Sequence, residues 1–176
     1  MARITETAAG KGGVFAGAAL LWLVLDRATK AYFEGTYALG QTSAHDWLIV
    51  RFRLIHNTGA AWGAFGDSTV LLGAFSLAVC IAIACAFAFY GRVSGHEANL
   101  AETVALALVF AGGIGNAIDR FAQGFVTDFL DFTFMDFPVF NVADIGVTCG
   151  FVLLIIGYLA AVRAQGTSES DRGGDA

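Results

Sequence analysis

Four apolar runs, each near the length that crosses a lipid bilayer, dominate this chain. They cover residues 13–33, 68–90, 103–118 and 145–162, and a spanning helix needs roughly 20 mainly apolar residues. Of the 176 residues, 57% are hydrophobic and only 14% are charged, and the mean hydropathy is +0.67. A soluble domain of this size carries more charge on its surface. The sequence therefore predicts an all-α membrane protein with four transmembrane helices.

The remaining composition argues against several classes of function. The net charge of −5 leaves no basic patch for nucleic acid. The three cysteines lie in apolar runs without CxxC spacing, which is typical of buried apolar side chains. The three histidines are scattered without paired-ligand spacing, so no metal site is predicted. Residues 1–164 are expected to form a single integral membrane domain, and the polar residues 165–176 a disordered tail.

Alternation of the four spans brings acidic residues to one membrane face. The end of span one, the end of span three and the start of span four lie on that face, and they carry Asp26, Asp119 and Asp144. The two longer connecting segments, residues 34–67 and 120–142, lie there as well. Lys and Arg divide five against five between the faces, so the positive-inside rule leaves the orientation open, with a weak tilt toward cytoplasmic termini. A function is expected on the face with the longer segments.

The longer segments have patterns of their own. Residues 50–54 alternate apolar and basic side chains, which predicts a half-buried strand. Between residues 121 and 140, seven phenylalanines are interleaved with Asp128, Asp131 and Asp136, which is typical of a segment at the membrane interface. We therefore expect a small strand-rich platform on the membrane surface above the helix bundle.

Asp144 has two competing interpretations. It stands three residues after Asn141, so Asn141 is suited to cap the fourth helix with Asp144 at the third helical position. A carboxylate at the edge of the hydrocarbon is also costly, and ionisable groups in such positions are functional by default. The motif alone favours neither interpretation.

The other candidate residues are ambiguous when each is taken alone. Asp128 is best explained singly as a solvated loop charge, and Asp131 and Asp136 are equally acidic. The remaining candidates fit local ion pairs or a turn: Asp119 with Arg120, Asp26 with Lys30 at i, i+4, and Asn57 with Gly59.

Taken together, several carboxylates on one apolar, Phe-rich face support acid–base chemistry. Two carboxylates brought close in such surroundings cannot both ionise, so they share a proton. One then accepts a proton from water while the other protonates the leaving amine, as in aspartic proteases. The pattern allows an aspartyl peptidase without singling out the pair.

Two other classes of protein remain open at this point. A small proton- or ion-coupled transporter would use Asp26, Asp119 and Asp144 as a relay, but it predicts acidic residues near mid-membrane in broken helices. Here they cluster at one end, and the run 68–90 is free of charge. A non-catalytic assembly scaffold also fits the composition.

Four blocks of sequence carry a more specific signal. They are residues 25–30 (LDRATK), 57–63 (NTGAAWG), 115–129 (GNAIDR followed by GFVTDF) and 140–144 (FNVAD). In this order and at these spacings they resemble the lipoprotein signal peptidase, or type II signal peptidase, family. The resemblance extends over residues 13–164.

The resemblance implies a bacterial inner-membrane enzyme with cytoplasmic termini, four transmembrane helices and a periplasmic β-cradle. It implies an aspartyl endopeptidase that cleaves a signal peptide just before a diacylglyceryl-modified cysteine. The expected partners are the lipid-modified prolipoprotein and membrane lipids. Neither a metal nor an organic cofactor is expected, and the chain is expected to act as a monomer with its active site toward the periplasm.

By motif position, the resemblance assigns the catalytic carboxylate pair to Asp128 and Asp144. Asn57 and Asn141 are expected to donate hydrogen bonds to this pair or to the substrate backbone. Glycines at 112, 113 and 115 are expected to let the third span approach a neighbour closely. The supporting residues that the resemblance implies are Asn57, Gly59, Asn116, Asp119, Arg120, Asn141, Asp26 and Lys30.

Overall fold

The four predicted spans are helices in the structure, a computed structural model that describes residues 8–59, 68–90 and 98–172. Each helix is long and apolar enough to cross a membrane, so the predicted fold class is confirmed. In chain order the elements are α1 (Ala8–Thr36), β1 (Val50–Asn57), α2 (Thr69–Ala88), α3 (Leu100–Gln123), β2 (Val126–Phe132) and α4 (Val142–Arg172).

Helix α3 is the centre of the bundle. It is the most buried of the four spans, and it packs against α1, α2 and α4. Asn99 and Glu102 form a reciprocal capping box at its start, and Gly124 ends it in the left-handed conformation with φ of 79°. The capping box therefore sets where α3 begins, and Gly124 sets where the chain leaves the bundle toward β2.

Two glycines of α3 let its neighbours come close. A Cβ at Gly112 would collide with the carbonyl oxygen of Ala143 in α4, and a Cβ at Gly115 would lie 2.5 Å from Oδ2 of Asp26 in α1. Small residues at helix contacts in membranes permit this backbone approach. The glycines therefore bring the start of α4 and the charged end of α1 to the same turn of α3.

Strands β1 and β2 form a two-stranded antiparallel sheet. Val50 pairs with Phe132 at one end, and Asn57 pairs with Val126 at the other. The second end lies next to the bundle, because β2 begins two residues after Gly124. The sheet therefore carries Asn57 and the first half of β2 to the acidic end of the helices.

An apolar cluster fixes the sheet on the end of α1. Phe33, Leu54 and Phe129 are buried together, and the rings of Phe33 and Phe129 stack at a centroid distance of 4.1 Å. Since side chains alternate along a strand, burying Phe129 against α1 turns its neighbour Asp128 to the other face of β2.

The structure extends some of the predicted elements. The strand predicted at 50–54 runs to Asn57, and residues 126–132 of the Phe-rich segment form a second strand that the sequence did not separate from its surroundings. Helix α4 continues to Arg172, into the segment expected to be a disordered tail. Residues 60–63 of the second sequence block and residues 173–176 lie outside the described part of the chain.

Candidate active site

The start of α4 holds Asp144 in a reciprocal cap. Asp144 N–H donates to Oδ1 of Asn141 at 3.0 Å, and Asn141 N–H donates back to Oδ2 of Asp144 at 3.0 Å. The other carboxylate oxygen accepts from Nδ2 of Asn116 in α3 at 2.7 Å. Capping and a place in the site are therefore compatible, since each function uses a different oxygen of Asp144.

Asp128 is buried on β2 and is only 2% exposed. Its Oδ2 accepts from Nδ2 of Asn57 at 2.9 Å, and its Oδ1 accepts from Nδ2 of Asn141 at 2.7 Å. The interpretation of Asp128 as a solvated loop charge is therefore wrong, because the residue lies on a paired strand and its side chain is buried against two amide donors.

Asn141 connects the two carboxylates. Its backbone and side-chain oxygen hold Asp144, while its amide nitrogen donates to Asp128. Burial first, and then the neighbouring Asp144 carboxylate, raise the pKa of Asp128 to about 7. The hydrogen bonds from Asn57 and Asn141 oppose this shift by stabilising the ionised form. The pair is thus arranged to keep one proton near neutral pH.

Charged side chains of α1 and α3 form an ion cluster next to the carboxylate pair. Nζ of Lys30 lies 3.0 Å from Oδ2 of Asp26 and 2.8 Å from Oδ2 of Asp119, and it donates to Oδ1 of Asn116 at 2.9 Å. Arg27 also pairs with Asp119. The two cations and two carboxylates balance in charge, and the hydrogen bond from Lys30 orients the side chain of Asn116.

The ion cluster corrects one prediction and weakens another. Asp119 pairs with Lys30 and Arg27 of α1, so the expected interfacial pair between Asp119 and Arg120 is wrong. A transporter relay would use Asp26, Asp119 and Asp144. The first two are paired with cations, and of the three Asp144 is the one that lines the cavity described below.

Arg120 faces the site rather than its sequence neighbour. Its Nη2 donates to the carbonyl oxygen of Gly59 at 3.2 Å, and Gly59 N–H donates to Oδ1 of Asn57 at 3.0 Å. This chain of contacts fixes the amide that Asn57 presents to Asp128. The buried Nε of Arg120 has no hydrogen-bond partner among the described residues.

A cavity of about 570 Å³ opens on both carboxylates. Asn57, Asn116 and Arg120 contribute its other main polar groups. Most of the wall is apolar and comes from β2, the segment before α4, and α4 itself: Val126, Phe132, Val139, Phe140, Ile145 and Val147.

The two remaining acidic residues of the Phe-rich segment are directed elsewhere. Asp131 accepts from Nε of Arg51 at 2.8 Å, and Asp136 is exposed. Both line an adjoining cleft of about 470 Å³ together with Arg53. Within residues 8–59, 68–90 and 98–172, no group of three His, Cys, Asp or Glu could hold a metal ion.

Two contacts were missed by reasoning from the sequence. Arg27 lies within the first sequence block, so its motif could have indicated the pairing with Asp119. Trp22 donates from Nε1 to the carbonyl oxygen of Val142 at 3.0 Å, which helps place the start of α4. A tryptophan inside an apolar run gives no signal of such a bond, because it equally fits a lipid-facing position.

Comparisons with known proteins agree with this geometry. The family model for signal peptidase (SPase) II matches residues 18–160. A lipoprotein signal peptidase of Gloeobacter violaceus is 39% identical over 142 residues, covering 81% of this chain and 79% of the relative. One from Streptococcus pneumoniae is 33% identical over 149 residues, covering 85% and 94%. A solved bacterial membrane enzyme superposes with a TM-score of 0.76 at 31% identity, covering 85% of this chain and 90% of that one.

Proposed function

Because the chain belongs to the signal peptidase II family, we propose that Asp128 and Asp144 are the carboxylates with which it cleaves prolipoproteins. The enzyme is a membrane aspartic peptidase that removes signal peptides from prolipoproteins. The observation that carries the assignment is a buried carboxylate, Asp128, and a half-buried one, Asp144, which are bridged by Asn141 and face one cavity.

The mechanism follows from one proton shared by two acids. The ionised carboxylate takes a proton from a water molecule as its oxygen attacks the carbonyl carbon before the lipidated cysteine. The protonated carboxylate donates its proton to the nitrogen of the leaving amine as the C–N bond breaks. The products are the carboxylate of the signal peptide and a new amino terminus on the cysteine.

The supporting residues hold this geometry without taking part in proton transfer. Asn57, Asn116 and Asn141 each donate an amide N–H to one of the carboxylates. Neutral donors orient a carboxylate without fixing its charge, so the pair keeps the freedom to exchange its proton. Lys30 acts through Asn116 and is therefore a positioning residue.

The apolar wall of the cavity suits a lipid-modified substrate. Ile145 and Val147 of α4 and Phe140 line it beside Asp144. The acyl chains of a diacylglyceryl group reach this wall from the bilayer, which is already apolar, so close packing against the wall rather than transfer out of water favours their binding. A free peptide lacks these contacts.

The topology of the chain supports a particular orientation. An even number of spans puts both termini on one side, and the ends that carry Asp26, Asp119 and Asp144 on the other. We infer that the termini are cytoplasmic and that the site opens toward the outside of the inner membrane. A reporter fused after Ala176 that is active only in the cytoplasm should be active, and an inactive reporter would reverse the orientation. Since one chain supplies both carboxylates and their donors, it is expected to act as a monomer.

The direct test of the assignment is a set of isosteric substitutions. Asp128→Asn and Asp144→Asn should each lose more than roughly 1,000-fold in turnover of a diacylglyceryl prolipoprotein, since acid–base catalysis contributes about 100- to 10,000-fold per group. Asp136→Asn, on the exposed wall of the adjoining cleft, is the matched control. A folded variant of either catalytic candidate that keeps near wild-type turnover would refute the pair.

A further inference from the structure

The hairpin tip, residues 47–50, exposes three apolar side chains at the far end of β1. Trp47 is 66% exposed, Leu48 96% and Ile49 56%. Trp47 N–H donates to the carbonyl oxygen of Val50 at 2.7 Å, and Val50 N–H donates to that of Trp47 at 3.1 Å. The tip is therefore a closed two-residue turn whose central residues are Leu48 and Ile49.

The residues at the centre of this turn do not suit its backbone. Tight two-residue hairpins need positive φ, so they favour glycine, asparagine or aspartate. Leu48 has φ of 60° and is the single non-glycine residue with positive φ in the described part of the chain. A branched apolar side chain is unfavourable in that conformation. Its side chain is 96% exposed, so packing against the described residues does not compensate.

The backbone of the tip already has partners inside the protein. Thr133 N–H donates to the carbonyl oxygen of Ile49 at 3.0 Å, and its hydroxyl donates to that of Leu48 at 3.5 Å. Together with the Trp47–Val50 pair, these bonds satisfy all four carbonyl groups of the turn. Internal partners for these carbonyl groups lower the cost of moving the turn out of bulk water.

The sheet rests on the end of α1 that lies at the membrane interface. Leu54 packs on Phe33 at this end, next to Tyr32, whose ring is exposed as is usual at a membrane interface. Leu48 is six residues from Leu54, or roughly 20 Å along a strand. A helix with its side chains is only about 10 Å wide, so β1 is long enough for the tip to extend beyond the helix on which the sheet rests.

We propose that the hairpin tip inserts into the headgroup layer of the bilayer that the helices cross and anchors the sheet to it. Tryptophan is enriched at this depth, and Phe134 and Met135, which follow Thr133, extend the exposed apolar surface. This anchor is independent of which residues catalyse the reaction. It assigns a lipid-binding function to residues that the catalytic site does not use.

The depth of Trp47 in vesicles tests the anchor. The protein is reconstituted at low density in vesicles of phosphatidylethanolamine and phosphatidylglycerol, with some lipid brominated near the headgroup end of its acyl chains. Subtracting the emission of Trp47→Phe isolates the contribution of Trp47. As a control, Ala44→Trp in the Trp47→Phe background places a tryptophan at an exposed position of the same segment.

The two positions should respond oppositely. Trp47 emission is expected to be blue-shifted, quenched by brominated lipid and protected from aqueous iodide, whereas emission from Ala44→Trp is quenched mainly by iodide. The proposal would be overturned if iodide quenched Trp47 as readily as it quenches the tryptophan introduced by Ala44→Trp. Protection from both quenchers would also overturn it, since that result indicates a protein partner such as a second copy.

A second variant separates anchoring from folding. Only the first central residue of the turn, Leu48, has positive φ, so Leu48→Gly with Ile49→Asn installs residues that this type of turn prefers, and Tm in detergent is expected to stay the same or rise. In vesicles, Trp47 of this variant should lose part of its lipid quenching and gain iodide quenching. A fall in Tm in detergent would show that the two side chains pack within the protein, which contradicts an anchor in lipid.

Discussion

At the scale of single residues, the proposed chemistry requires one of the two acids to be ionised while the other is protonated. Asp144 sits at a helix start with its cap and one amide, and Asp128 sits on a strand between the amides of Asn57 and Asn141. Among the residues that the structure describes, the hydrogen-bond donors to the two carboxylates are neutral, so burial and hydrogen bonding act together with the nearby charges to set the proton affinity of the pair. That balance can be changed one donor at a time.

Removing the Asn57 amide should move the alkaline limb of the pH–rate profile. The hydrogen bond from Asn57 lowers the pKa of Asp128, so Asn57→Ala raises it further, by roughly one unit if the bond contributes about 1.5 kcal/mol. The profile of kcat/KM should keep its shape and extend to higher pH, with a lower maximum. A lower maximum with an unmoved limb would mean that Asn57 has a purely structural effect.

Asp128 should also make stability fall as pH rises. Its folded pKa of about 7 lies above the ordinary value of 3.8 for an aspartate, so the folded state holds its proton more tightly, and stability is lost as pH rises from about 4 through about 7. The difference in unfolding free energy between Asp128→Asn and wild type should therefore shift toward the variant by up to about 4 kcal/mol between about pH 4 and about pH 9. Thermal unfolding in detergent at both pH values measures this shift. An unchanged difference would show that Asp128 ionises normally.

At the scale of elements, the helices were predictable and the second strand was not. Long uncharged runs are direct evidence for spans, and the alternation at 50–54 was sufficient for β1. In β2, Val126, Thr127, Asp128 and Phe129 are all buried. A strand covered on both faces loses the period of two on which its prediction depends. The supporting contacts of Asn116 and Arg120 likewise depend on helix packing that no local pattern encodes.

The contact between α3 and α4 offers a sharp test at this scale. Gly112→Ala would push a methyl group into the carbonyl of Ala143, next to Asp144. We expect a loss of about 1–3 kcal/mol in unfolding free energy and a fall in kcat of roughly tenfold or more as the carboxylates separate. Gly17→Ala in α1, where a Cβ meets nothing within 4 Å, should keep full activity. If the two variants behaved alike, close packing of α3 against α4 would not be what holds the two carboxylates together.

At the scale of the whole molecule, a largely buried charge cluster joins α1 to α3. The alternation of the four spans indicated that acidic residues would gather at one end, and the i, i+4 spacing indicated the pair of Asp26 with Lys30. The pairing of Lys30 and Arg27 with Asp119 could not be read from spacing, since it depends on the register of two helices. The choice of Asp128 over Asp131 came from the family resemblance alone. Both side chains are buried, and they differ mainly in their partners, because Asp128 accepts from two amides and Asp131 pairs with Arg51.

Breaking this cluster should cost far more than breaking an exposed pair. Lys30→Met leaves Asp26 and Asp119 buried with one cation fewer, so we expect a loss of roughly 3–5 kcal/mol in unfolding free energy. Arg51→Met removes the pair with Asp131, in which Arg51 is 40% exposed, and should cost at most about 1 kcal/mol. Unfolding of both variants in detergent gives the comparison. Similar losses would mean that Lys30 is better solvated than its burial indicates.

The division of the carboxylate pair between a strand and the last helix also has a consequence for biosynthesis. Chains are made from the N-terminus, so Asp128 leaves the ribosome before α4 exists. Asp144 is set in place only when α4 packs against α3 and its start is capped. A ribosome-bound intermediate with three inserted helices therefore lacks the proposed catalytic pair. Cleavage of neighbouring chains by this pair requires that α4 has first been made and has packed against α3.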